Sequence, residues 1–98
     1  MLISNKYLIE NYIDTHADSK MALARWVELI ENAHWENPND LKEDFPNADG
    51  VGNHRYVFNI KGNSFRLIAV VIFLAGVLTI RFIGTHAEYS KIKDCSII

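Results

Sequence analysis

From Leu67 to Ile80 the chain runs for fourteen residues without a charged side chain. A stretch of that kind has to be buried, yet a membrane-spanning helix needs roughly 20 apolar residues. Its β-branched content and the glycine at position 76 point to strands broken by a turn. Three strand-like runs cover the region: Arg55 to Lys61, Ser64 to Phe73, and Val77 to Ile83. Gly62-Asn63 and Ala75-Gly76 separate them and read as two-residue hairpin loops, giving an antiparallel meander. The middle run is apolar at almost every position, as expected for a strand covered at least partly on both faces.

Those loops set a register. The first pairs Lys61 with Ser64, Asn59 with Arg66 and Arg55 with Val70, while the second pairs Ile72 with Thr79, Val70 with Arg81 and Arg66 with Thr85. One face then carries Arg55, Asn59, Lys61, Arg66, Arg81 and Thr85. The other carries Tyr56, Phe58, Ile60, Phe65, Leu67, Ala69, Val71, Leu78, Ile80 and Phe82, a core face. A three-residue second loop would turn Arg81 into that core, where an unpaired guanidinium is costly.

Helices account for the N-terminal half. Residues 1 to 4 fit a short strand, with Ser4 or Asn5 as a helix cap. Leu8 with Tyr12 and Ile9 with Ile13 are apolar pairs four apart. Ala22, Trp26, Leu29, Ile30 and Ala33 then mark one buried face of a second helix, capped by Asp18 or Ser19. From Asn37 to Asn53 both prolines and many Asn and Asp residues indicate a long connection with one helical turn near Asp40 to Asp44. The expected architecture is α+β over a single domain, residues 1-98: two N-terminal helices packed on a small antiparallel sheet with a C-terminal three-stranded meander.

Ninety-eight residues, 49% apolar and 22% charged, suit one small core. A lone cysteine, Cys95, excludes an internal disulfide and a cysteine-based zinc site. The N-terminus lacks the charge-then-apolar pattern of a secretion signal, so a cytoplasmic location is expected. Net charge is only −2, but it is unevenly distributed. Residues 1 to 53 hold four Lys or Arg against ten Asp or Glu, whereas residues 54 to 98 hold six against two. The positive half is the one suited to a polyanion.

Beyond the last strand, Arg81, His86, Glu88, Tyr89 and Lys91 crowd into a few residues. Imidazole, carboxylate and phenol are groups that move protons, and guanidinium groups stabilise charge building on a phosphate. With Arg55, Lys61 and Arg66 on the same sheet face, a phosphodiester substrate fits best. No carboxylate pair stands at metal-binding spacing on that face, so no metal or other cofactor is expected. His54 and Asn59 are additional contacts to that substrate on this reading. His16 and His34 are read as polar residues near helix ends, and Cys95 with Ile97-Ile98 as a tail without a role.

The segments Val57-Phe58-Asn59-Ile60-Lys61-Gly62-Asn63 and Arg81 through Tyr89, with Trp35, Pro38, Phe45-Pro46 and Arg66-Leu67, resemble the HigB toxins of bacterial toxin-antitoxin systems, which share the RelE-like fold. The resemblance implies a metal-independent endoribonuclease that cuts mRNA on the ribosome and inhibits translation. It also implies a HigA-type helix-turn-helix antitoxin as partner, with DNA reached only through that antitoxin and no membrane association. Carried over by position, the site residues are Lys61, Arg66, Arg81, His86, Glu88 and Tyr89, with acid and base unassigned. Ser90 stands where an acidic residue often follows the tyrosine. Two other readings share the fold: an interaction module that binds an antitoxin without cutting RNA, and a toxin directed at a protein target.

Overall fold

In the computed structural model, which describes residues 1–98, burial is deepest along β4 (Phe65–Ile72), where every residue from Phe65 to Ala69 is buried. Its neighbours are β3 (Arg55–Ile60) and β5 (Val77–Thr85), both antiparallel to it, as the three apolar runs predict. Two short strands extend the sheet to the order β1-β5-β4-β3-β2. At one edge β1 (Leu2–Ile3) pairs with β5 in parallel, so the sheet is mixed and not purely antiparallel. At the other edge lies β2 (Asp49–Gly52), inside the stretch expected to be a connection. Its Asp-Gly-Val-Gly sequence has little strand propensity. It pairs because Gly50 leaves room for the Tyr56 ring, and because Gly52, Asn53 and His54 take the positive φ values that turn the chain into β3.

Helices α1 (Tyr7–Thr15), α2 (Lys20–Glu31) and α3 (Pro38–Asp44) pack with one face of the sheet around a common core. In α2 the fully buried positions are Leu23, Trp26 and Ile30, and Leu29 lies at the margin. Phe58 sits under this layer, edge-on to Trp26 at 5.5 Å and to Phe45 at 5.1 Å. Neither expected cap of the first helix serves as one. The Asn5 amide instead bonds both the N–H and the C=O of Ile80, acting as one more residue of strand β1, while Ser4 bonds Thr79. Before α2 comes a 3₁₀ turn, Ala17–Ser19, in which the Ser19 hydroxyl donates to the His16 carbonyl and so caps nothing in α2. Asn37 does cap α3, accepting from the Asp40 N–H, with Pro38 in the first turn.

The first hairpin keeps the expected register, Asn59 opposite Arg66 and Arg55 opposite Val70. The second does not. Its loop is four residues long, Phe73 to Gly76, closed by the Gly76 N–H on the Ile72 carbonyl, so Ile72 faces Val77 and Val70 faces Thr79. A β-bulge then inserts Arg81 opposite the Ile68-Ala69 step. Before the bulge Leu78 and Ile80 point into the core; after it Ile83 does, and Phe82 shares the opposite face with Arg66 and Gly84. Thr85 pairs with Phe65, so it leaves the cationic face on which the register had placed it. Arg81 is still kept out of the core by an even loop length, since Leu78 and Ile80 point inward and alternation sends Arg81 out; the bulge changes the faces only from Phe82 onward.

Val57 and Ile68 are buried although they face away from the helices and stand apart from the main core. That second face carries α4 (His86–Tyr89) and the chain after it, which returns as far as β2. Replacing Phe58 with alanine removes a ring clamped between two aromatic side chains. The expected cost is about 3–5 kcal/mol, a large part of the stability of a domain this size, read as a fall in the urea midpoint with unchanged slope.

Candidate active site

Arg66 is the anchor of the second face. Its side chain rises from the buried strand β4 and is only 8% exposed. One Nη donates to the Phe65 carbonyl at 3.1 Å and the other to Asn63 Oδ1 at 3.2 Å. No carboxylate lies within ion-pair distance, since the molecule's ion pairs are Lys6–Glu31 and Arg25–Glu28. A cation held this deep without an anion is electrostatically unsatisfied and well suited to meet one from outside. The guanidinium carbon sits 5.7 Å from the centre of the Tyr89 ring, which keeps it flat and presented.

Tyr89 and His86 arrive on α4, whose position follows from the strand before it. Thr85 Oγ1 accepts from the Glu88 N–H, and the Glu88 carboxylate accepts from the Thr85 N–H at 2.8 Å. This reciprocal pair is a capping box, and the His86 N–H bond to the Ser64 carbonyl ties the turn to the start of β4. The His86 and Tyr89 rings meet edge-on, their centres 6.4 Å apart. Burial pushes the Tyr89 phenol above its ordinary range, the neighbouring Cys95 thiol adds to this, and Arg66 opposes it. Tyr89 therefore holds its proton at neutral pH and is equipped to donate it. On the far side of His86, Ser90 Oγ gives its proton to the His86 carbonyl at 2.8 Å, so toward Nδ1, at 3.2 Å, it can only accept. With Nδ1 as the donor to Ser90 Oγ, Nε2 is the ring's acceptor. Sequence reading noted Ser90 for the carboxylate it lacks and missed this orienting contact, which the i, i+4 spacing on a helical turn would have suggested.

The other expected site residues divide. Lys61 stands exposed in the β3–β4 turn at a positive φ, and Asn59 is exposed across from Arg66, so both belong to the same neighbourhood. Glu88 is spent on the cap. Its two hydrogen bonds with Thr85 hold the carboxyl below the usual range, and its charged neighbours are His16 and Lys91. Lys91 is exposed after α4. Arg55 and Arg81 gather elsewhere: both donate through Nε to the carbonyl of Ile98, at 3.0 and 3.2 Å. Arg55 lies four β4 residues from Arg66, roughly 13 Å along the strand. His54 forms the turn into β3, its carbonyl accepting from Val71 N–H. The single cationic cluster expected from the sequence is thus two clusters, because Arg55 and Arg81 both turn to the Ile98 oxygen and Arg66 turns to the β3–β4 turn and Tyr89. No group of three His, Cys, Asp or Glu side chains is placed to hold a metal ion, and no helix is long and apolar enough to cross a membrane.

Residues 19–92 match the HigB toxin family, described as the RelE-like toxic component of a toxin-antitoxin system. The chain belongs to this family. It is 29% identical to the mRNA interferase HigB of Escherichia coli O6:H1, covering 94% of this chain and 91% of that one. It is 32% identical to the mRNA interferase toxin HigB of Escherichia coli K12 and to the mRNA interferase HigB of Shigella flexneri, covering 90% of this chain and 86% of theirs. The α+β fold, with helices on a five-stranded mixed sheet, agrees with the RelE-like toxin fold.

The Glu88 cap has a pH signature. Because its folded pKa is depressed, its contribution to stability is present above the unfolded value of 4.5 and is lost as pH falls through the folded value. Glu88→Gln should therefore flatten the acid limb of the stability curve below about pH 4.5. Urea midpoints of both proteins across that window measure it, and parallel curves would remove Glu88 from the cap.

Proposed function

We propose that this toxin is a metal-independent endoribonuclease that cuts mRNA in the cytoplasm on the ribosome, at a surface formed by Arg66, His86 and Tyr89. The observation that carries the reading is Arg66, a nearly buried guanidinium without a carboxylate, held against a protonated tyrosine. Toxin identity rests on the family, and RNA cleavage on relatives named mRNA interferases.

The chemistry requires no added cofactor. His86 Nε2 takes the proton of a ribose 2′-hydroxyl, whose oxygen attacks the adjacent phosphorus. Charge gathers on the phosphoryl oxygens, where Arg66 and Lys61 stabilise it. The bond to the 5′-oxygen breaks, and Tyr89 supplies the proton that leaving oxygen needs, giving a 2′,3′-cyclic phosphate and a free 5′-hydroxyl. Asn59 and Lys91 contact flanking RNA, His54 extends that surface, and Glu88 contributes by fixing α4. The partner that silences the toxin is a helix-turn-helix antitoxin of the HigA type.

Replacing Arg66 with Ala should lower the cleavage rate by roughly 10²- to 10³-fold while weakening RNA binding far less, because only stabilisation specific to the transition state accelerates chemistry. His86→Ala should lose roughly 10²- to 10⁴-fold in rate. Circular dichroism and antitoxin binding establish that each variant folds. Wild-type rates in His86→Ala would transfer the base role to another residue, and full activity in both variants would sink the site.

Cleavage of ribosome-bound message by the wild-type protein should also survive chelation under conditions that keep ribosomes intact. Activity that disappears and returns only with a divalent ion would overturn the metal-free mechanism.

A further inference from the structure

After α4 the chain crosses the second sheet face and closes over Arg55 and Arg81. Asp94 shapes the closing 3₁₀ turn, Cys95–Ile97, accepting from Ser96 N–H at 3.0 Å and Ser96 Oγ at 2.6 Å. Asn53 Nδ2 donates to the Ser96 carbonyl at 2.9 Å, and the Ile98 carbonyl receives Nε of both arginines. Arg55 is braced by a second bond, from Nη1 to the Asn53 carbonyl. Neither arginine has an Asp or Glu partner. Two guanidinium groups therefore converge on one oxygen of Ile98, leaving most of their fixed donor forks unmatched. A phosphate brings several oxygens to the same place, and planar guanidinium forks match it bidentately.

We propose that Asn53, Arg55 and Arg81 form a second phosphate subsite for the RNA backbone, occupied in the free protein by the chain's own Asp94–Ile98 segment. The inference rests on the RNA-cutting reading above and adds to it a competition between RNA and tail. The Arg55 side of the subsite is roughly 13 Å along the strand from Arg66, and Arg81, opposite the Ile68-Ala69 step, lies between them. The segment is suited to leave: its contacts with Asn53 and the two arginines are hydrogen bonds, and Ile97 is 70% exposed. RNA would then bind with its intrinsic affinity scaled by the fraction of molecules in which the subsite is open.

The test is fluorescence anisotropy with a short 2′-O-methyl oligoribonucleotide, which the proposed chemistry cannot cut, alongside a message-cleavage assay of the intact protein. Two variants open the subsite. Deleting Ser96, Ile97 and Ile98 removes both carbonyl acceptors, and Ser96→Pro removes the Ser96 bonds to Asp94 without changing any charge. Each should bind roughly 3- to 10-fold more tightly than the intact chain, an open fraction of about a tenth to a third in the free protein. Arg81→Ala should weaken the shortened chain more than the intact one. If the deletion does not fold, Ser96→Pro decides alone. Equal or weaker binding by the opened variants, with an intact protein that does cut RNA, overturns this inference only. Failure of every form to bind or cut RNA overturns the reading on which it rests.

Discussion

Burial of β4 on both faces is the constraint from which the rest of the molecule follows. Its odd positions are held by the helices and its even positions by the chain after β5, so the strand can neither slide nor rotate without exposing apolar surface. The side chains proposed to act on RNA need such a frame, because catalysis depends on fractions of an ångström. Arg66 obtains it directly from the strand. His86 obtains it at one remove, through its backbone bond to Ser64. Tyr89 is then placed by the capped turn of α4, its ring within cation–π distance of the guanidinium.

The same frame carries an electrostatic cost. Placing an arginine in a nearly buried position without an anion works against folding, and two backbone or amide oxygens offset only part of that penalty. Acidic residues are abundant in this chain, but ten of twelve precede residue 54, and none forms an ion pair with Arg66. The helical half can thus lower the overall charge without neutralising the face that meets a polyanion. Mild net acidity and an RNA-directed surface are compatible because the charges are segregated.

Periodicity made the three long strands, α1 and the buried face of α2 legible, along with the register of the first hairpin, since each is written in repeating apolar positions. Three features were written otherwise. Strand β2 pairs through glycines and a turn of positive φ, which resemble a loop in any reading by propensity. The Asn5 amide mimics strand backbone, an arrangement no capping rule anticipates. The register of β5 depends on a bulge, and nothing in an alternating pattern distinguishes a bulge from a shifted loop. For the candidate site, residue chemistry brought out Arg66, His86 and Tyr89. It could not reveal that Glu88 would be committed to a cap, that Ser90 would orient the imidazole, or that Arg55 and Arg81 would meet over a tail thought idle.

The single-residue bulge at Arg81 makes β5 behave as two rulers joined out of phase. The segment before it is indexed to the core, and the segment after it is indexed to α4. Removing that one residue would erase the cation and the bulge together yet leave every later position on its present face, because Ile80 opposite Ala69 and Phe82 opposite Ile68 would then simply alternate. Straightening the bulge with Arg81 kept would do the reverse: Phe82 and Ile83 would trade faces, and α4 would leave the sheet on the wrong side of Arg66. At this position the backbone count carries as much information as the side chain, so substitutions and deletions that look equally mild in an alignment are different classes of change.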